Sequence, residues 1–262
     1  MGTIATNRGM IDVTDVGGGD RTPILFLHGV GSDQHVWVPQ LDHFGRERRA
    51  VALSYPGYGD STMLPNATRD DFAAAVAAVM EALEIDRAHV CGLSLGGVVA
   101  IALHTMAPAR CASLVLADTF AVHPDGHAIF DRSQEASRTI GMRALAEARA
   151  GVLLGKGAGA EINRAVIDTM SAIDPEAYVV AARAVWLADQ SDRVAAIDVP
   201  TLVLVGDEDT ITPPALSVDL QTRIRGATMQ TIVSAGHLAN IEQPAAFNAA
   251  IDAFLTMIET ME

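Results

Sequence analysis

One serine in this chain stands in a setting that turns serines into nucleophiles. Residues 92–96 read Gly92-Leu93-Ser94-Leu95-Gly96, after the apolar His89-Val90-Cys91 and before Gly97 and a run of small and branched residues. A serine on a sharp turn from strand to helix has a strained backbone. Side chains two residues before and after it would collide, so both positions need glycine. Such a turn lifts the hydroxyl clear of a sheet and leaves the first N–H groups of the helix facing any charge that develops beside it. A glycine-rich connection with an incidental serine would match the same five residues; the flanking strand and helix patterns favour the chemical reading.

A serine nucleophile needs a base, and of the eight histidines His237 has the right surroundings. It lies in Ser234-Ala235-Gly236-His237, between a strand pattern at 229–233 and a helical pattern from 244. An imidazole there can take the Ser94 proton and return it to a leaving group. His43, His104, His123 and His127 have no such setting, and His28 reads as structural. The base in turn needs an orienting carboxylate. Asp207, Glu208 and Asp209 compete in the loop after the strand pattern at 201–205. Asp209 is favoured because it lies further past the strand end, whereas Asp207 is placed to hold the turn through backbone contacts. Asp118, after the strand at 113–117, is the rival outside that loop. Finally, Leu27-His28-Gly29-Val30-Gly31 can present the Val30 N–H beside that of Leu95, two donors for an oxyanion. The chain order is then Ser, Asp, His.

These residues need a frame that gathers strand ends. Buried strand patterns occur at 24–27, 50–53, 89–91, 113–117, 201–205 and 229–233, and two earlier segments, 3–7 and 10–16, can add an antiparallel edge. Helical patterns between them at 70–83, 97–106 and 244–258 indicate an α/β protein with a mostly parallel sheet and helices on both faces. Open sheets of this kind place their sites at the carboxyl ends of the strands. From 120 to 197 no strand is expected, only helices at 134–152, 161–172 and 175–188, so this span reads as an insertion.

The 262 residues are 50% hydrophobic and 19% charged, which suits a large buried core and excludes disorder. A net charge of −14 disfavours nucleic-acid and anionic-membrane partners. Cys91 and Cys111 lack CxxC spacing and read as buried thiols, and no metal-ligand spacing occurs. The longest apolar run, 72–80, is too short to span a bilayer, and a cytoplasmic location is expected.

Across its whole length the chain resembles the α/β-hydrolase fold, and within it the 3-oxoadipate enol-lactonases, cofactor-free enzymes that hydrolyse a small carboxylated enol-lactone. The likeness is strongest at 200–214 and 236–247. It places the nucleophile on Ser94, the acid on Asp209 and the base on His237. It implies an eight-stranded, mostly parallel sheet, with residues 1–119 and 198–262 forming the core and 120–197 a helical lid. In the lid, Arg138 and Gly141-Met142 resemble the family's pattern and Phe130 stands where the family usually carries Trp. An Arg-Trp-Phe stretch expected near Leu153-Leu154-Gly155 is missing. Phe130, Arg138 and Trp186 are the substrate-binding candidates. Arg138 is singled out from eight lid cations as a carboxylate clamp because it falls one helical turn before Met142, on the same face. The alternative for Arg138 is a solvated helix face.

The expected activity is therefore hydrolysis of a small ester or lactone through an acyl-enzyme, with no metal or organic cofactor. Ser94 excludes the related dehalogenases and epoxide hydrolases that use Asp as nucleophile. C–C bond hydrolysis of ring-cleavage diketones, acyl-homoserine lactone hydrolysis and perhydrolysis use the same residues and are the rival chemistries. A ligand sensor that keeps the pocket is the rival from another class.

Overall fold

The computed structural model describes residues 2–260. Its eight strands form one sheet in the order β1-β2-β4-β3-β5-β6-β7-β8. They are β1 (Gly2–Thr6), β2 (Gly9–Val16), β3 (Ile24–Leu27), β4 (Ala50–Leu53), β5 (Ala88–Leu93), β6 (Cys111–Ala117), β7 (Thr201–Gly206) and β8 (Thr228–Ile232). β1 and β2 form an antiparallel hairpin, β2 pairs antiparallel with β4, and the remaining pairs are parallel. The antiparallel hairpin and the six parallel strands β3 to β8 match the sequence expectation to within a residue or two at most ends.

Alternation along the strands decides the layers. Leu25 and Leu27 of β3, Val51 and Leu53 of β4, and Leu114 and Leu116 of β6 enter one hydrophobic cluster. Ile24 and Phe26, Ala50 and Ala52, and Val115 and Ala117 enter the other. Period two sends neighbours to opposite faces, so a continuously apolar strand needs helices on both. The helices are α1 (Val38–Phe44), α2 (Arg69–Ala82), α3 (Leu95–Met106), α4 (Gly126–Thr139), α5 (Gly141–Leu153), α6 (Ala160–Ala172), α7 (Pro175–Trp186), α8 (Ser191–Val194), α9 (Pro214–Arg223), α10 (Ala239–Glu242) and α11 (Pro244–Glu259). α2, α3 and α9 cover the first face, α1 and α11 the second. In α11, Phe247, Ile251, Phe254 and Leu255 recur at helical spacing along the buried stripe. α2 starts at a capping box in which Thr68 and Asp71 each accept the other's backbone N–H.

Between β6 and β7 the chain forms α4 to α8 and, among the described residues, only an isolated bridge between Val122 and Asp189. The helix expected over 134–152 is two helices. Gly141 takes φ +78, a left-handed conformation that ends α4 and redirects α5. Cys91 and Cys111 are free and buried, and burial pushes the Cys111 thiol up to about 12. No helix among the described residues is long and apolar enough to cross a membrane.

Candidate active site

β5 ends at Leu93 and α3 begins at Leu95, which leaves Ser94 as the whole connection, at φ 54 and ψ −113. Few non-glycine residues adopt a positive φ, and here neighbours enforce it. The Ser94 N–H donates to the Ala117 carbonyl at 2.9 Å, and its own carbonyl accepts from the Thr119 hydroxyl at 2.8 Å. Gly92 and Gly96 press against the carbonyls of Gly96 and Leu27 with no room for a Cβ at either position. The steric requirement inferred from the motif is thus met by named backbone atoms.

Asp209 follows β7 and His237 follows β8, neighbouring strands whose ends bring the two side chains together. The His237 Nδ1–H donates to Asp209 Oδ2 at 2.9 Å, which fixes the tautomer and leaves Nε2 as the free base. Asp209 Oδ1 accepts from the Ile211 and Thr212 N–H groups at 2.7 and 3.0 Å, and Oδ2 from the Thr212 hydroxyl at 2.6 Å. Burial alone would raise the Asp209 pKa. The His237 charge and hydrogen bond, with those of Thr212, outweigh it and hold the carboxyl well below the usual carboxylate range. Ser94, Asp209 and His237 are each at most 4% exposed. Ser94 and His237 line the same cleft, in which the Ser94 hydroxyl has no hydrogen-bond partner among the described residues. Catalytic hydrogen bonds of this kind often tighten only around substrate.

The rival acids have other work. Asp118, at φ 47 and fully buried, accepts the Gly206 N–H at 2.8 Å. Burial, and then the neighbouring Asp209 charge, push its carboxyl well above the usual range, so it sits beside Asp209 as a neutral acid. Asp207 reaches across its turn to the Ala235 N–H at 3.4 Å. Glu208 accepts the Lys156 N–H at 2.6 Å.

Val30, in the loop after β3, and Leu95, the first residue of α3, are the expected oxyanion donors, and among the described residues neither N–H has an acceptor. The Tyr58 hydroxyl fixes the Val30 carbonyl at 2.7 Å. His28 donates from Nδ1 to the Gly29 carbonyl at 2.8 Å and accepts the Tyr55 N–H on Nε2 at 3.1 Å. Burial lowers its pKa to about 4, so it stays neutral and shapes the loop.

The cleft has a volume of about 500 Å³ and is mostly apolar, with Val36, Pro39, Leu153, Ile162, Val166 and Ile241 among its walls. Of the sequence candidates outside the triad and oxyanion donors, Trp186 lines it. Phe130 is buried under the Arg183 guanidinium, 5.6 Å from its ring centre, and belongs to neither this cleft nor the adjoining cavity. Arg138 and Met142 do not share a helix face, because the break at Gly141 puts them on α4 and α5; Arg138 is exposed and lies outside both linings. The arginine that does reach the cleft is Arg149.

Two polar groups were not singled out from sequence. Thr212 orders Asp209, as above. Glu242 of α10 accepts the Gly155 N–H at 2.7 Å and the Gly236 N–H at 3.0 Å, tying the end of the α5 segment to the turn that carries His237. The His237 N–H also donates to the Leu153 carbonyl at 2.8 Å. Among the described residues, no group of three or more His, Cys, Asp or Glu side chains is arranged to hold a metal ion.

Known proteins share this architecture. The 3-oxoadipate enol-lactonase 1 of Acinetobacter baylyi is 27% identical over 259 residues, covering 98% of this chain and 97% of its own. The crystal structure of the enol-lactonase from Burkholderia xenovorans LB400 superposes with a TM-score of 0.89 at 27% identity, covering 97% of this chain and 99% of that one. A thermophilic esterase from Thermogutta terrifontis, solved with malate bound, gives 0.90 at 29% identity, with 98% of each chain covered. The model of the alpha/beta hydrolase family matches residues 24–250. The chain belongs to the α/β-hydrolase family.

Proposed function

We propose that this enzyme is a serine hydrolase of small carboxylic esters or lactones, most similar in activity to the 3-oxoadipate enol-lactonases. The observation that carries the reading is the 2.9 Å contact between His237 Nδ1 and Asp209 Oδ2, made on turns that face the strained Ser94 across one cleft. His237 Nε2 takes the proton as Ser94 Oγ attacks the carbonyl carbon. The negative charge then moves onto the carbonyl oxygen, where the N–H groups of Val30 and Leu95 stabilise it, each worth about 3 kcal/mol in comparable sites. His237 passes the proton to the leaving alkoxide and acyl-Ser94 forms. Water, deprotonated by the same Nε2, releases the acid. With a lactone, the alkoxide remains attached to the acyl group and one ring-opened product leaves.

In this reading residues 120–197 are a lid. Leu153, Ile162, Val166 and Trp186 face Val36, Pro39 and Ile241 of the core across the cleft. The similarity to enol-lactonases over nearly the full chain supports a lactone as natural substrate.

Two measurements test it. A fluorophosphonate should add a single phosphonyl group, found on the peptide containing Ser94. With a panel of lactones, chromogenic short-chain esters and ring-cleavage diketones, Ser94→Ala should lose nearly all turnover while keeping its thermal midpoint within a few degrees. Turnover above a few per cent of wild type in Ser94→Ala overturns the nucleophile assignment, and preference for the diketones overturns the ester or lactone class.

A further inference from the structure

The helical segment between β6 and β7 holds cations that have no partner among the described residues. Arg143 is paired with Glu147 and Asp168, Arg193 with Asp70, and Arg183 lies over the Phe130 ring. Arg132 of α4 and Arg149 of α5, in contrast, have no ion pair or hydrogen bond with a described residue. Both line a second cavity, of about 440 Å³, beside the catalytic cleft. Arg149 and Trp186 line both spaces, which therefore adjoin at these two side chains. Trp186 is 2% exposed, and its buried indole N–H has no acceptor among the described residues.

Other polar groups of the second cavity do not cancel this excess of donors. Asp125 is its one acidic side chain. His123 donates from Nε2 to the Ile211 carbonyl at 3.2 Å and accepts the Asp125 N–H on Nδ1 at 3.1 Å. Burial lowers its pKa, which keeps it neutral. Two guanidiniums against one carboxylate leave this space positive inside a protein of net charge −14. Arg149 is half-buried, where a charge is screened less than at the surface, and a guanidinium presents paired donors that match carboxylate or phosphate oxygens.

We propose that the second cavity is a binding site for a terminal oxyanion, carboxylate or phosphate, on the chain of the substrate whose ester carbonyl lies at Ser94. Arg149 meets the anion where the two spaces adjoin, Arg132 closes on it from the rim, and the Trp186 N–H is available to the chain as it passes. The inference rests on the hydrolase reading only for what occupies Ser94.

Calorimetry on the Ser94→Ala protein separates the two claims because it reads binding without turnover. The probes are suberate, octyl phosphate and, as the uncharged counterpart, dimethyl suberate. Suberate or octyl phosphate should bind at least tenfold more tightly than dimethyl suberate, and the stronger of the two identifies the oxyanion. Arg149→Gln and Arg132→Gln should each remove most of that preference, and Arg132→Gln, outside the catalytic cleft, should leave the Kd of dimethyl suberate unchanged. Arg164→Gln, an exposed arginine of α6 outside both cavities, should keep it. Equal affinity for charged and neutral probes in Ser94→Ala overturns the site before any arginine is changed. A preference that survives both substitutions also overturns it. If the wild-type enzyme turns over no ester, the hydrolase reading fails while this binding result stands. If neutral esters are hydrolysed but no anion preference exists, only the second cavity loses its role.

Discussion

At the strand-to-helix elbow that carries Ser94, a Cβ on Gly96 would lie 2.0 Å from the Leu27 carbonyl oxygen, and one on Gly92 would lie 2.2 Å from the Gly96 oxygen. On α5, a Cβ on Gly151 would meet nothing within 4 Å. The same residue type is indispensable in one region and idle in the other. Ser94, Asp209 and His237 lie on short connections at strand ends, with their backbone N–H groups held at the Ala117, Gly206 and Leu153 carbonyls. The segment 120–197, the proposed lid, reaches the cleft with side chains projecting from whole helices, and its accuracy depends on how those helices pack. Chemistry needs the first kind of construction, and substrate choice tolerates the second.

The comparison breaks first if the acid is misassigned. Asp209→Asn should lower kcat by about 10⁴, because an amide in that place leaves His237 in the wrong tautomer. Asp118→Asn should change kcat only a few-fold, since an amide oxygen can still accept the Gly206 N–H and its NH2 can face Asp209. Steady-state rates of both variants decide the matter, and a larger loss in Asp118→Asn would move the acid to the end of β6.

The second test is steric. Gly96→Ala has to displace the Leu27 backbone, and its expected penalty is about 3 kcal/mol of stability, at the upper end for overpacking. Urea unfolding measures it; a variant as stable as wild type would mean that the elbow yields where the distances say it does not.

A third test uses pH on the same turns. Asp118 is held neutral in the fold, with its pKa above the value of about 3.9 that it has in the unfolded chain. Below that value both states keep the proton and stability is fully present. Above it the unfolded chain releases the proton while the folded protein retains it. Stability therefore falls by up to about 1.4 kcal/mol per pH unit until the folded group ionises. Asp118→Asn removes that slope. Its stability relative to wild type should therefore rise between pH 4 and pH 7, as measured by denaturant unfolding at each pH, and a constant difference would show that Asp118 is ionised in the fold.

What could be read from the residues follows the same division. The cluster of Ser94, Asp209 and His237, which we propose as the triad, was legible because each member sits within a few residues of its own strand pattern, with glycines that mark the turn. The layers were legible because strands apolar on both faces admit no other covering. The lid was not. Arg138 was singled out over Arg149 by assuming one helix through 134–152, and Gly141, left-handed at φ +78, breaks that helix. Which arginine faces the cleft is a property of α4, α5 and α7 packed together, and local periodicity carries no record of it. Glu242 lay in view within a segment that resembled the family, but its partners, the Gly155 and Gly236 N–H groups, lie 87 and 6 residues away. Loop-to-loop hydrogen bonds have no sequence period.

Glu242 is where the two regions meet, and its replacement sharpens the contrast between them. Glu242→Gln keeps the shape but turns one accepting oxygen into a donor, so one of the Gly155 and Gly236 N–H groups loses its partner. The expected result is a rise in KM of about fivefold, near 1 kcal/mol for one hydrogen bond, with a smaller change in kcat. A fall in kcat with KM unchanged would mean that Glu242 serves the His237 turn and not the lid.

The smallest expected effect is in α5. Gly151 is an exposed residue within α5, with no positive φ and open space where a side chain would go. Glycine in a helix interior loses more conformational freedom on folding than alanine, a difference of about 0.5–1 kcal/mol. Gly151→Ala should therefore stabilise the protein by that amount and raise Tm by about 1–4 °C, an increment typical of chains this long. It should also leave kcat untouched, because Gly151 lines neither cavity and a Cβ there would meet nothing within 4 Å. If kcat falls as Tm rises, α5 must bend during turnover, and the lid's looseness at Gly151 is part of how substrate enters or product leaves. If both stay level with wild type, α5 frays in solution and the helical end of the comparison is softer than its geometry implies.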